Sequence, residues 1–222
     1  MRSYRSVTLM LVLLCAGFVS LSSAQTGVGL TISPRGLYAI PVGSLADRLV
    51  PTGGVKLGIG ARLDENWTWE GTFEATRFMK GNKDQLYFPD LQVTLELYGA
   101  GVQASYYPFG AEGILAGKVH PFMTGGLSVY RWLARRGAHA TDSTGAVVVP
   151  GLVQQDWSLG FRGGAGIEFL PIERVGIFGQ VTYGVIVGEL WPALALRLEN
   201  TSGFQTVEGS VGLRVYLPSK LF

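Results

Sequence analysis

Cysteine is nearly missing from this 222-residue chain: the single copy, Cys15, sits in an apolar N-terminal stretch. The residues that follow that stretch can therefore form neither a disulfide nor a thiolate metal site. Histidine is almost as scarce, and two residues, His120 and His139, do not supply a transition-metal ligand set. Long apolar runs are lacking as well. The one from Val7 to about Leu21 falls short of the roughly 20 residues a spanning helix needs. Arg2 and Arg5 precede it and Ser22, Ser23 and Ala24 follow it, so residues 1–24 read as a cleaved secretory signal peptide. Lipidation of Cys15 is disfavoured because Leu14 stands where such processing wants a small residue. An excess of one charge is also absent. Without Arg2 and Arg5, the 18 basic residues become 16, against 16 acidic ones, and the neutral chain offers no basic field to nucleic acid.

What remains is rich in glycine, with 32 residues, and in aromatic and β-branched side chains, a composition that favours strands over helices. One unit repeats eight times: about ten residues of apolar and polar alternation, closed alternately by a tight turn and a longer connection. In the last copy, Val207, Val211, Leu213, Val215 and Leu217 share one face, and Glu208, Ser210, Gly212, Arg214 and Tyr216 share the other, as a period-2 strand requires. Earlier copies are expected over Val28 to Val42, Gly54 to Leu63, Trp67 to Phe78, Val93 to Tyr106, Lys118 to Leu133, Asp156 to Leu170 and Val175 to Gly188. In the fourth, the apolar set begins as Val93, Leu95 and Leu97 and continues on the other parity as Ala100, Val102, Ala104 and Tyr106. A β-bulge at Gly99 to Gly101 is expected to restore the facing. The longest connection is expected from Ala134 to Gln155.

The fold class this predicts is all-β: one domain over 25–222, an eight-stranded, antiparallel, up-and-down transmembrane β-barrel. A soluble barrel of the same size would reverse the facing, with an apolar interior and a polar exterior. Here the predicted inner face collects Arg35, Lys56, Arg62, Glu70, Glu74, Glu96, Arg162, Glu168, Glu208 and Arg214. An eight-stranded interior is only wide enough to be filled by side chains, so these groups are expected to pair and plug the barrel. Aromatic residues are expected to form two interfacial girdles. Trp67, Trp69, Tyr106, Phe109 and Phe169 lie beside the short turns, and Trp132, Trp157 and Trp191 lie beside the long connections.

These patterns resemble the small outer-membrane β-barrel family, the eight-stranded group that includes the barrel domain of OmpA and the OmpX-like and OmpW-like proteins. The resemblance runs through residues 36–43 (GLYAIPVG), His120-Pro121-Phe122 with Gly125-Gly126, residues 164–169 (GAGIEF) and residues 212–217 (GLRVYL). It implies a bacterial outer-membrane location, periplasmic termini, extracellular long loops, and surroundings of outer-membrane lipid and lipopolysaccharide. It also implies delivery by the barrel-assembly machinery, which in that family reads a terminal aromatic residue. Phe222 matches in identity, but Pro218 interrupts the strand and Phe222 has the opposite parity to Leu217; either the strand itself is the signal, or a short tail extends past it.

Catalysis has little to stand on. Some small barrels modify lipids with a neighbouring His and Ser, but His120 and Ser128 are separated by about 26 Å of extended strand, too far for a base and its nucleophile. His139, Asp142 and Ser143 read as a solvated loop. The expectation is a monomeric barrel without enzymatic activity or cofactor, with a structural or surface-interaction role. The rival is a narrow channel for small or hydrophobic solutes.

Overall fold

The computed structural model describes residues 29–43, 46, 49–80, 93–110, 112–115, 118–136, 140–141, 143–145, 147–148, 151–172, 174–187 and 203–217. The signal-peptide region with Cys15, and also His139, Asp142, Trp191 and Phe222, lie outside the described residues. Eight long strands make up the body of the fold: β1 (Gly29–Val42), β2 (Thr52–Arg62), β3 (Trp67–Lys80), β4 (Val93–Tyr106), β5 (Val119–Arg136), β6 (Gly151–Ile172), β7 (Val175–Val187) and β8 (Phe204–Leu217). Each pairs antiparallel with its sequence neighbours, and β1 also pairs with β8, from Leu30 opposite Leu217 to Val42 opposite Gln205. The sheet is therefore a closed, up-and-down, eight-stranded barrel with no open edge between its first and last staves. Pro34 interrupts only one ladder. The β1–β8 register passes from Ile32 to Arg35, as befits a residue with no N–H to donate.

Alternation sets the two faces. On β1, Thr31, Ser33, Arg35, Leu37 and Ala39 are buried while Leu30, Ile32, Tyr38 and Ile40 are exposed. On β2, Lys56 is buried and Val55, Leu57 and Ile59 are exposed, Val55 by 66%. So many large apolar side chains facing outward would be a severe aggregation hazard in water and suit hydrocarbon. Exposed aromatics mark the width of that belt on one strand. Trp157 and Phe169 stand twelve residues apart on β6, about 40 Å along the strand, which a tilt of about 40° reduces to about 30 Å of height.

Two expectations about the strands are corrected. The β4 ladders to β3 and β5 run without a register shift, so there is no bulge at Gly99 to Gly101. Leu95 and Leu97 instead face inward, opposite Phe78 and Ala134 and opposite Thr76 and Trp132 respectively. Both leucines are buried, and the inner face at this level is apolar. The second correction concerns the longest connection. Ala134 to Arg136 and Gly151 to Gln155 belong to strands, with Arg135 opposite Leu152 and Arg136 opposite Gly151 across one register shift. A further pair of short strands, Ala140–Thr141 with Val147–Val148, forms a separate two-stranded sheet between them in sequence.

Close strand approach depends on missing side chains. A Cβ on Gly60 would fall on the Trp69 carbonyl oxygen and within 2.6 Å of the Glu70 Cα, both backbone atoms that cannot swing away. Gly60→Ala is therefore expected to cost about 1–3 kcal/mol of unfolding free energy through overpacking. Urea titration of the refolded barrel measures it, and an unchanged midpoint would contradict the packing shown.

Candidate functional site

The inward residues fall into layers along the barrel axis, because each strand contributes one inner side chain every second residue. Toward the short-turn end, Tyr107, Phe122 and Phe178 form an aromatic cluster, with ring centroids 5.3 Å and 6.5 Å apart. Arg214 lies over Phe178 at 4.8 Å and Phe122 at 5.9 Å, and Arg35 lies over Phe178 at 5.0 Å. These are favourable cation–π positions for desolvated guanidinium groups.

Around them runs a chain of ion pairs. Arg35 Nη2 is 2.7 Å from Glu70 Oε2, Arg214 Nη2 is 3.4 Å from Glu70 Oε1, and Arg214 Nη1 is 2.8 Å from Glu168 Oε2. Ser33 donates to Glu70, and the Tyr107 and Tyr216 hydroxyls donate to the two Glu168 oxygens at 2.7 Å each. Arg214 also donates to the Tyr107 hydroxyl.

A second group is closed on itself. Lys56 Nζ is 3.0 Å from Glu74 and 3.4 Å from Glu208, while Arg162 is 2.7 Å from Glu74 and 3.5 Å from Glu208. Cation and carboxylate alternate around this ring, so every charge has two opposite neighbours. Arg162 also donates to the Tyr130 hydroxyl. Beside the ring is a cavity of about 20 Å³ lined in part by Glu74, Tyr130, Arg162 and Glu208, room for about one water.

Above the ring the interior turns apolar. Leu37, Ala39, Leu49, Phe78, Leu95, Leu97, Trp132, Ala134, Ile186 and Phe204 pack with Tyr130 in one cluster, and the rings of Phe78 and Phe204 meet edge on at 5.0 Å.

Eight of the ten charges expected inside are thus brought into two networks, and two are not. Arg62 shares the inner parity but sits at the short-turn mouth, where it donates to the Asp64 and Glu65 carbonyls and lies over the Tyr107 ring. Glu96 has the opposite parity, and its carboxylate contacts Arg77 at 3.5 Å and Arg135 at 3.3 Å. Its misplacement follows directly from the bulge that does not exist. Trp132 is likewise no girdle residue. It is 1% exposed and its Nε1 donates to Ser158 Oγ at 3.1 Å inside the barrel. Trp67, Trp69, Phe109, Phe169 and Trp157 are exposed, and Tyr106 stacks near Trp67 at 4.9 Å.

The sequence reading missed Tyr107, Tyr130, Tyr216 and Ser33 as network members. Tyr130 and Tyr216 share the parity of the charges they meet, which was the available signal; Tyr107 lies past the end of β4 and carried none. His120 is buried beside the short-turn end, with Nδ1 3.1 Å from the Gly110 carbonyl oxygen. Among the described residues, no group of three or more His, Cys, Asp or Glu is placed to hold a metal ion.

No protein-family model matches the chain. No curated protein matches it by sequence. Solved structures do. Neisserial surface protein A aligns at a TM-score of 0.55 with 18% identity, covering 86% of this chain and 99% of that one. Ail, the attachment invasion locus protein of Yersinia pestis, aligns at 0.44 with 12% identity over 86% and 97%. OprG from Pseudomonas aeruginosa, an outer membrane protein, aligns at 0.41 with 11% identity over 86% and 94%. The chain has the fold of Neisserial surface protein A.

Proposed function

We propose that this chain is a monomeric outer-membrane barrel of a double-membraned bacterium, occluded by its own side chains, with a structural or surface-interaction role rather than transport or catalysis. The observation that carries this reading is the alternating ring of Lys56, Glu74, Arg162 and Glu208 stacked below an apolar layer. A hydrated ion would have to break paired charges and then cross a hydrocarbon-like plug, each costing several kcal/mol. The orientation we propose is supported by the described ends of the sheet: Gly29 pairs with Arg62 and Leu30 with Leu217, so Gly29 and Leu217 lie at the end that carries the tight connections 63–66 and 173–174, and tight turns are periplasmic in bacterial barrels. The longer connections then face outward into the medium, and the belt meets outer-membrane lipid and lipopolysaccharide. Insertion would be the work of the barrel-assembly machinery.

Two measurements test this. The folded barrel should migrate differently before and after boiling on a gel, and in planar bilayers it should show no steady conductance. Sustained ion or solute flux would overturn occlusion and favour the narrow-channel reading.

A further inference from the structure

The short connections at one end of the barrel are of two kinds. Between β2 and β3 the chain turns acidic right beside the exposed Trp67, and Asp64 and Glu65 are both open to the surroundings. Between β4 and β5, and again between β6 and β7, the apolar surface runs on past the outward ring of Phe169. Phe109 is 52% exposed, Ile114 41%, Leu115 76% and Ile172 62%. Pairing fixes how this surface joins the wall, because residues directly opposite on antiparallel strands share a face. Phe169 faces outward and stands opposite Val119. Val119 is in turn bridged to Ile114 by two backbone hydrogen bonds of 2.7 Å and 3.1 Å. Ile114, Val119 and Phe169 therefore form one outward row that carries the lipid-facing wall into the turn. Ile172 stands three residues past Phe169, about 10 Å along the strand and about 8 Å along the barrel axis at a tilt of about 40°.

Leu115 adds an independent signal. Its φ is +52°, in the left-handed region, where a leucine is strained and a glycine or asparagine would not be. With so little of its side chain covered, packing inside the barrel is not what holds a leucine there, and a strained residue at an open tip points to a contact outside the fold. Continuity decides what that contact is. The patch is the lower edge of a surface that Met123 and Ile167, both exposed, carry up the same wall, and that surface faces hydrocarbon. Lys118 and Arg174, both exposed, flank it along the chain, as suits cations that lay their stems against apolar surroundings and keep their heads in water.

We propose that Phe109, Ile114, Leu115 and Ile172 form an apolar foot that sinks into the acyl chains of the leaflet on the short-turn side, so that the barrel sits deeper along β4 to β7 than along β2 and β3. The inference rests on the outer-membrane reading above, by which this is the periplasmic leaflet.

The residues from 25 onward contain no cysteine, so a spin label can be attached at one introduced cysteine at a time. Leu115→Cys and Ile172→Cys probe the foot, Asp64→Cys the acidic turn, and Leu127→Cys an exposed position in the middle of the belt. Each folded, labelled barrel is placed in phosphatidylcholine vesicles. Power saturation then compares collisions with oxygen, which concentrates among acyl chains, and with a nickel chelate, which stays in water. Oxygen should dominate for Leu115→Cys, Ile172→Cys and Leu127→Cys, and nickel for Asp64→Cys, a reversal of the ratio between turns at the same end of the barrel. Phe109→Cys takes the place of Leu115→Cys if the latter fails to fold. Nickel dominance at Leu115→Cys or Ile172→Cys would put the turns in water and overturn the foot. Few collisions with either reagent would mean that a second copy covers it, and oxygen dominance at Asp64→Cys would remove the asymmetry; both overturn it too. Nickel dominance at Leu127→Cys as well would sink the membrane reading itself, which separates the two failures.

Discussion

Replacing Arg214 by methionine is expected to lower the unfolding free energy of the barrel by about 3–5 kcal/mol, the usual cost of removing one partner from a buried ion pair. Arg214 is 0% exposed, reaches both Glu70 and Glu168, and is packed over two aromatic rings. Glu70 keeps Arg35 and Ser33 in the variant. Glu168 keeps two tyrosine hydroxyls but loses the guanidinium, so the larger part of the penalty falls there. A double-mutant cycle identifies it. Glu168→Gln removes the stranded charge, and the pair of substitutions should cost clearly less than the sum of the two alone. Reversible urea unfolding in lipid vesicles supplies the free energies; strict additivity would mean that the two groups do not interact.

Trp132→Ala is expected to cost a comparable amount, about 3–5 kcal/mol, by a different mechanism. The indole is almost wholly buried and its N–H is satisfied by Ser158, so truncation leaves a cavity and an orphaned hydroxyl partner. Its consequence for permeability should nonetheless be small. The ring of Lys56, Glu74, Arg162 and Glu208 lies below the apolar cluster and does not touch Trp132 through any of its four ion pairs. The variant should be less stable and still non-conducting in planar bilayers. Steady current through it would show that the apolar layer is the sole barrier and that the charged ring is not one.

Much of this architecture is legible in the sequence, because period-2 alternation requires only that inner and outer faces differ. On β2, the first half of β3 and the second half of β8 they differ cleanly, and Lys56, Glu70 and Arg214 are buried beside exposed Val55, Trp69 and Leu213. The reading fails where the interior stops being polar. Assuming every inner position polar turned Leu95 and Leu97 outward, required a bulge to turn the rest of β4 back, and carried Glu96 inside with the error. Nearness to a loop points Trp132 outward, but its parity is that of Ser128 and Tyr130, both buried, and parity wins. Which carboxylate meets which cation was not legible at all. That depends on how far each strand is staggered against its neighbours, and sequence alternation carries no information about stagger.

The stagger joins groups that are far apart along the chain. Glu208 meets Lys56 and Arg162, and Arg214 meets Glu70 and Glu168, so β8 supplies one charge to each network as well as the seam against β1. Strands β1 to β3 by themselves can match Arg35 with Glu70 and Lys56 with Glu74, yet the ion pair of Glu168 needs β8. A sheet of seven strands would present that carboxylate at an open slot facing hydrocarbon, where ionised groups are strongly disfavoured. Closure and neutralisation are thereby one event: seating β8 against β1 and β7 both removes the open edges and supplies Arg214 to Glu168.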